Sequence, residues 1–494
     1  MKQFLNINRL SILCQLSVSA ALLLLAGTCM ANARSSAGLD DQIFADRFAE
    51  DIDVLLPFIN DEYQLPPYTL SAQLDWIIDE LDASETTTLA EIQARFVPGF
   101  DQPGLVSFFN DNLRVNFPNA RVIDLIGISP VRATFVIEGD NPNSDLGFVQ
   151  LGVQYSGQEL VTLFSVQPFF GSVQFPGDQN LTLTEAADRF QTLAASNSLF
   201  VGRINSDGQC ESVISRSPDT ARALGSIFKM WVIGTVGEHL NLGLSLPEDT
   251  INLVASELAA GGIINNEPLG TPFTVRDMAV MMMADSDNTS TDHLHELVGR
   301  SAIEQVVADY GIVETEQLLP FLNISEQFHV FSRFDLPTAL SYVNGDLPFR
   351  EQFLTNQIVP LGPSFPQSFP FFHESLLSTG TWSASATDIC RTLAGMHALP
   401  RNSVGFEVVN QAMGYQAAQP NVRSEWQRVW YKGGGLSSGS TGQHVLTNAW
   451  LLQKDGESEP WVVVGLTNDS SGGIDIFEVN SVLSRILELV ADLP

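Results

Sequence analysis

Four lysines occur in this chain of 494 residues: Lys2, Lys229, Lys432 and Lys454. Two of them complete short motifs that place an amine near a hydroxyl or a glycine run. Ser226-Ile227-Phe228-Lys229 is one and Lys432-Gly433-Gly434 is the other, with Ser286-Asp287-Asn288 between them. A chain that avoids lysine nearly everywhere has kept it where an amine can move a proton or hold an anion.

The spacing says what each motif could do. Three positions apart on a helix, Ser226 and Lys229 share one face, roughly one turn from each other. A serine hydroxyl becomes a nucleophile only with a base beside it. Lysine can be that base when its ammonium form is destabilised, and Phe228, Met230 and Trp231 are apolar neighbours that would desolvate it. If Ser226 opens the helix, unsatisfied N–H groups and the positive end of the dipole face the reacting centre. Ser286, sixty positions after Ser226, can relay a proton to a leaving nitrogen or oxygen, and the Asn288 carboxamide can bind a substrate amide. Lys432 can hold a substrate carboxylate, and Gly434 and Gly435 let a substrate backbone lie along a strand edge. Singly these patterns are commonplace, since Ser, Asp, Asn and Gly also make caps and turns. The three in order carry the reading.

Two other chemistries are weaker. Gly435-Leu436-Ser437-Ser438-Gly439 has the pattern of a nucleophile elbow but falls between two expected strands rather than between strand and helix. His293 and His295 are the only closely spaced histidines, with no third ligand nearby, so no metal site is expected. No cofactor is expected either.

The elements that must position these residues follow from hydrophobic period and punctuation. From about Asp40 to Phe170 helical patterns come first (Ile43–Leu56, Leu70–Leu81, Leu89–Phe96). Strand-like runs follow at Ala120–Ile126, Arg132–Glu138, Gly147–Tyr155 and Leu160–Val166. Helices followed by an antiparallel meander predict a small α+β domain over 40–170, and the Gly- and Pro-rich stretch after it predicts a linker over 171–183. In the remainder, 184–494, a helix is expected over Thr184–Ala195. A hairpin then runs through Leu199–Ile204 and Glu211–Ser215, turning at Asn205-Ser206-Asp207-Gly208. Helix starts fall near Gly225-Ser226, at Thr274 and at Ser385, the last two carrying an acidic residue three positions on. Strands at Arg428–Lys432, His444–Gln453 and Trp461–Thr467 precede an amphipathic helix over Phe477–Val490. Strands at both ends of a helical middle imply that the ends pair in one sheet. The fold class is therefore α+β.

Composition bounds the partners. The chain carries 24 basic against 57 acidic residues, which argues against nucleic acid, whose phosphates need cationic neutralisation. Lys2 and Arg9, an apolar run reaching Leu25, and Ala31-Asn32-Ala33 read as a cleavable export signal over 1–33. Cys29 follows small residues and raises lipidation, but Thr28 directly before it fits that pattern poorly. The apolar run is too short to span a membrane stably. A periplasmic or extracellular protein is the expectation. Cys210 and Cys390 are then the two cysteines left, either one disulfide or two separate buried thiols.

Ser-x-x-Lys, Ser-Asp-Asn and Lys-Gly-Gly in this order resemble the signature of class A β-lactamases and penicillin-binding proteins, Ser-x-x-Lys, Ser-Asp-Asn and Lys-Thr-Gly. The resemblance to that serine β-lactamase-like superfamily covers roughly Thr184 to Pro494. The leading domain more loosely resembles the cystatin or steroid-isomerase (NTF2-like) domains that some β-lactamase-like hydrolases carry. The resemblance implies Ser226 as acylated nucleophile and Lys229 as proton acceptor. It also implies Ser286 as proton relay, Asn288 as binder of the acyl side chain and Lys432 as anchor. The backbone N–H groups of Ser226 and Gly435 would form an oxyanion hole. It implies a small β-lactam as substrate, with an ester or a peptidoglycan peptide as the alternative, or a binding protein with a degenerate pocket.

Three departures stand out. Gly433 replaces the usual Thr or Ser, removing one hydroxyl contact. The chain between the second and third motifs is longer than in class A enzymes, and Val359–Ser375, dense in Pro and Phe, would be a lid, an apolar substrate wall or a loop packed on the body. No convincing Glu-x-x-x-Asn element is present to position a deacylating water; Glu326 stands near the expected distance, with Val330 where Asn would be.

Overall fold

The computed structural model describes residues 58–493, apart from positions 60, 61, 64, 83, 314, 316, 317 and 455. The expected export signal, Cys29 and the helix expected over Ile43–Leu56 lie outside the described residues. No helix among the described residues is long and apolar enough to cross a membrane.

The leading α+β region forms because each helix has one apolar face to bury. Helix α1 (Thr69–Asp82) carries Leu70, Leu74, Ile77 and Leu81 at helical spacing, and all four are buried. Helix α2 (Leu89–Arg95) starts at a capping box, Thr88 with Glu91. A further helical stretch over 102–116, which the sequence pattern does not announce, follows. Its Phe109 joins Trp76, Phe96 and Phe164 in an aromatic cluster. Strands β1 (Arg121–Ile128), β2 (Arg132–Glu138), β3 (Leu146–Val153) and β4 (Val161–Phe169) form an antiparallel meander in sequence order.

The larger region is built on a five-stranded antiparallel sheet. After helix α3 (Leu183–Phe190) come β5 (Ser196–Ile204) and β6 (Cys210–Arg216), then much later β7 (Arg428–Ser438), β8 (Gly442–Gln453) and β9 (Trp461–Asn468). The order across the sheet is β7-β8-β9-β5-β6. The ends of the region therefore pair, with Trp461 opposite Arg203 and Asn468 opposite Ser196. Helix α3 and the last helix, Ile476–Ala491, cover one face through Phe190, Val482, Leu483 and Ile486. Between β6 and β7 the chain is mostly helical. Helix α4 (Lys229–Asn241) is apolar nearly all round, with Met230, Trp231, Val232, Ile233 and Val236 fully buried, so it is a core helix.

Two boundaries differ from expectation for physical reasons. Helix α3 ends at Phe190 rather than Ala195, because the Asn197 amide donates to the carbonyls of Gln191 and Ala194 and turns the chain into β5. Strand β7 does not stop at Lys432. It continues through three glycines to Ser438, paired with β8 throughout. Cys210 and Cys390 form a disulfide, Cα to Cα 6.2 Å, tying β6 to helix Ala386–His397.

The small sheet is fastened to the larger region by its β1 edge. Ile128 N donates to Tyr415 O at 2.9 Å, and Ala417 N donates to Ile126 O at 2.8 Å. Asn421 N donates to the Asp124 carboxylate at 2.6 Å. At another point Glu267 accepts from the backbone of Tyr155 and Ser156 and from the Ser156 hydroxyl.

Candidate active site

Ser226 lies in a tight 3₁₀ turn, Gly225–Phe228, that leads directly into α4. That turn lies against β7 so closely that side chains are excluded. A methyl group at Gly225, whose φ is +53°, would sit 2.8 Å from Gly435 N; one at Gly434 would sit 2.7 Å from Ser226 N. The two glycines let the backbone nitrogens of Ser226 and Gly435 come to one place. Thr447 on β8 holds the junction from behind, its hydroxyl donating to Leu224 O at 2.6 Å.

Lys229 is fully buried, one turn along from Ser226. Its Nζ donates to Ser286 O at 2.6 Å and Asn288 Oδ1 at 2.8 Å, with Ser286 Oγ at 3.3 Å and Asp287 O at 3.4 Å. Lys432 Nζ donates to the same Ser286 Oγ at 3.0 Å and to Gly433 O at 2.8 Å. The Ser286 hydroxyl thus bridges two amines. Burial lowers Lys229 to about 7, against the raising fields of Asp287 and Asp292. Lys432 is pushed well below the usual lysine range, by burial first and then by the Lys229 charge. Two buried amines so close to one hydroxyl do not both hold an extra proton easily near neutrality.

The loop that carries Ser286 is strained and strongly held. Ser286 has φ +59°, in the left-handed region that side chains other than glycine seldom adopt. Asp287 fixes it. It caps helix α5 (Asn288–Val298), accepting from Ser290 N at 2.5 Å, from Ile264 N at 3.4 Å and from Ile263 N. The Asn288 amide donates to Ala260 O at 2.7 Å. Ahead of Ser286, Asp285 meets the small sheet. Burial raises its carboxyl to about 7, while Arg132 and the Ser129 hydroxyl at the β1–β2 turn lower it. Gln416 adds a link there, its amide donating to Ala284 O at 3.3 Å.

Ser226, Lys229, Ser286, Asn288, Lys432, Gly434 and Gly435, all singled out in the sequence, come together. Asp285, Thr447, Ser129 and Arg132 were not singled out. Asp285 adjoins the Ser-Asp-Asn motif but carries no signal that distinguishes it from a turn residue, and Ser129 and Arg132 lie far along the chain from the motif they approach.

Glu326 has another task. It completes a capping box with Asn323 at the start of helix α6 (Ile324–Ser332), with Oε2 accepting from Asn323 N at 2.8 Å. Its Oε1 takes Arg300 Nη2 at 2.6 Å. The Pro- and Phe-rich segment is packed on the body. Ser364 and Ser325 exchange hydrogen bonds, Phe365 N donates to Leu258 O at 3.2 Å and His373 N donates to Phe331 O at 2.9 Å. Near its end, Glu374 accepts from Ser438, Ser440 and Thr441 at the β7–β8 turn. Ser437 and Ser438 lie on β7, not at an elbow. His293 is engaged at both nitrogens, with Thr289 O at 2.8 Å and Val254 N at 3.1 Å.

Residues 185–339, which hold the first two motifs, match the sequence model of the Beta-lactamase enzyme family, and they lie in a mixed helix-and-sheet fold. A β-lactamase from Chitinophaga pinensis superposes with TM-score 0.43 at 15% identity, over 63% of this chain and 97% of its own. One from Sphaerobacter thermophilus gives 0.41 at 14% over 62% and 94%, and the class A β-lactamase of Mycobacterium abscessus 0.41 at 13% over 63% and 99%. No curated protein matches the sequence.

Proposed function

We propose that this protein is an exported serine acyl hydrolase that opens β-lactams through an acyl-enzyme on Ser226. The observation that carries this is the Ser286 hydroxyl between Lys229 and Lys432, 3.3 and 3.0 Å from their amines, with Ser226 one turn before Lys229. In the proposed step the neutral Lys229 amine takes the Ser226 proton as the Ser226 oxygen bonds to the lactam carbonyl carbon. The N–H groups of Ser226 and Gly435 hold the developing oxyanion; loss of one such donor typically costs about 10²–10³ in rate. The C–N bond then breaks, and the leaving nitrogen takes a proton from Ser286, which is reloaded from the lysine pair. Water cleaves the resulting ester.

One observation favours a second reading, an esterase or peptidoglycan peptidase, or a binder that acylates once. Glu326 is committed to Arg300 and to its own helix cap, so it is not free to activate a deacylating water. Hydrolysis of a chromogenic cephalosporin and of a nitrophenyl ester, each by wild type and Ser226→Ala, ranks lactamase against esterase. Intact mass over time after penicillin addition separates the rest. A transient adduct supports the lactamase, a lasting one the slow-deacylating reading, and neither adduct nor turnover with any acyl donor removes Ser226 chemistry.

A further inference from the structure

The segment 415–417 runs between the small sheet and the loop that carries Ser286. On one side it pairs with the β1 edge, Gln416 standing opposite Gly127 in antiparallel register. The Gln416 side chain lies over that glycine. A methyl group at Gly127 would sit 2.5 Å from its Nε2 and 2.8 Å from its Cδ. On the other side the same Nε2 donates to Ala284 O at 3.3 Å, while Oε1 accepts from Ala418 N at 2.9 Å.

Ala284 is the last residue of helix Val275–Ala284, and Asp285 alone separates it from Ser286. The carbonyls of a final helical turn find no partner inside the helix, so an outside donor must satisfy them. Gln416 supplies one. Arg132 and Ser129 of the β1–β2 turn bear on the next residue, Asp285. Beyond Ser286, Asp287 and Asn288 are held by the body, through Ser290 N and Ala260 O. Ser286 itself has φ +59°, a conformation that persists only where the surroundings overdetermine it.

We propose that Gln416 is a positioning residue for Ser286, and that Gly127 of the small sheet sets where its amide points. The leading α+β region then serves the chemistry without supplying any of Ser226, Lys229, Ser286 or Lys432. The role rests on the proton relay proposed for Ser286.

In single turnover with a chromogenic cephalosporin, Gln416→Ala and Gln416→Glu should each slow acylation about 10–100-fold, the scale of a slightly displaced reacting group, with half-saturation changed less than about twofold. The glutamate variant keeps the acceptor for Ala418 N and loses the donor to Ala284 O. Gly127→Ala should slow acylation likewise by pushing the amide aside. In the Gln416→Ala background it should cost nothing further, because the space its methyl needs is then empty. Should Gly127→Ala fail to fold, the two Gln416 variants still decide. Folded Gln416 variants that acylate at the wild-type rate, or single effects that simply multiply in the double variant, would overturn the proposal. If wild type acylates with no donor, the Ser226 chemistry falls separately, and hydrogen exchange tests the positioning. Asp285 N and Asp287 N both donate to Met281 O, at 3.2 and 3.0 Å. Faster exchange of these two in Gln416→Ala, with β9 unchanged, supports it; equal exchange, or a general rise, overturns it.

Discussion

The amine of Lys229 has a defined job only if it is neutral when substrate arrives, and its surroundings set where that happens. With its pKa lowered to about 7, the base is protonated and idle in acid and becomes free as pH rises through neutrality. Acylation measured in single turnover should therefore show an acid limb near pH 7, falling tenfold per unit below it. A flat profile from pH 5 to 8 would remove Lys229 as the acceptor. Ser286 offers a cleaner contrast. Its φ of +59° strains any side chain. Ser286→Gly and Ser286→Ala should lose activity alike, because both delete the bridging hydroxyl. Yet the glycine variant should be more stable than the alanine variant by about 1 kcal/mol, a difference that denaturant unfolding can read. Both serine and lysines were legible in the sequence because lysine is so scarce. The left-handed backbone of Ser286 was not, since nothing in a Ser-Asp-Asn string distinguishes a relaxed cap from a strained one.

At the scale of elements, the site is a junction between the 3₁₀ turn 225–228 and strand β7. Caps and hydrophobic period located most of the parts. Thr274 accepts from Asp277 N and Ser385 from Asp388 N, as their spacing announced, and α1 buries the leucines and isoleucine expected of it. The reach of β7 past Lys432 was missed because a run of glycines reads locally as a turn. Glycine is there for approach rather than for turning. Gly434→Ala would drive a methyl into Ser226 N at 2.7 Å and into the neighbouring Leu224 carbonyl. That variant should lose at least about 100-fold in kcat/KM and roughly 1–3 kcal/mol in stability, the usual cost of overpacking. Retained activity in folded Gly434→Ala would show that the turn and strand need not touch.

Across the whole molecule, the small sheet is built onto the larger region rather than hung from it. Its β1–β2 turn brings Ser129 and Arg132 to Asp285, the residue before Ser286. Glu267 is the most heavily used fastening on the other side, taking three donors from Tyr155 and Ser156. Glu267→Ala leaves two backbone N–H groups short of a partner, a loss of roughly 1–3 kcal/mol. Limited proteolysis should then cut the stretch between β4 and α3 several-fold faster than in wild type. Unchanged cleavage would mean that the β1 edge alone secures the sheet.

The sequence by itself determined what neighbouring residues encode. Helical and strand periods, capping residues and the order of three motifs are local signals, readable within a turn or a few residues. It also announced that the strands at the two ends of the large region share a sheet, because they flank a helical middle. Only tertiary structure decided that Cys210 meets Cys390 across 180 positions, that both amines reach one hydroxyl and that Glu326 is spent on Arg300. Those are matters of angstroms between distant segments, fixed by how whole faces pack, and side-chain spacing along a chain does not record them.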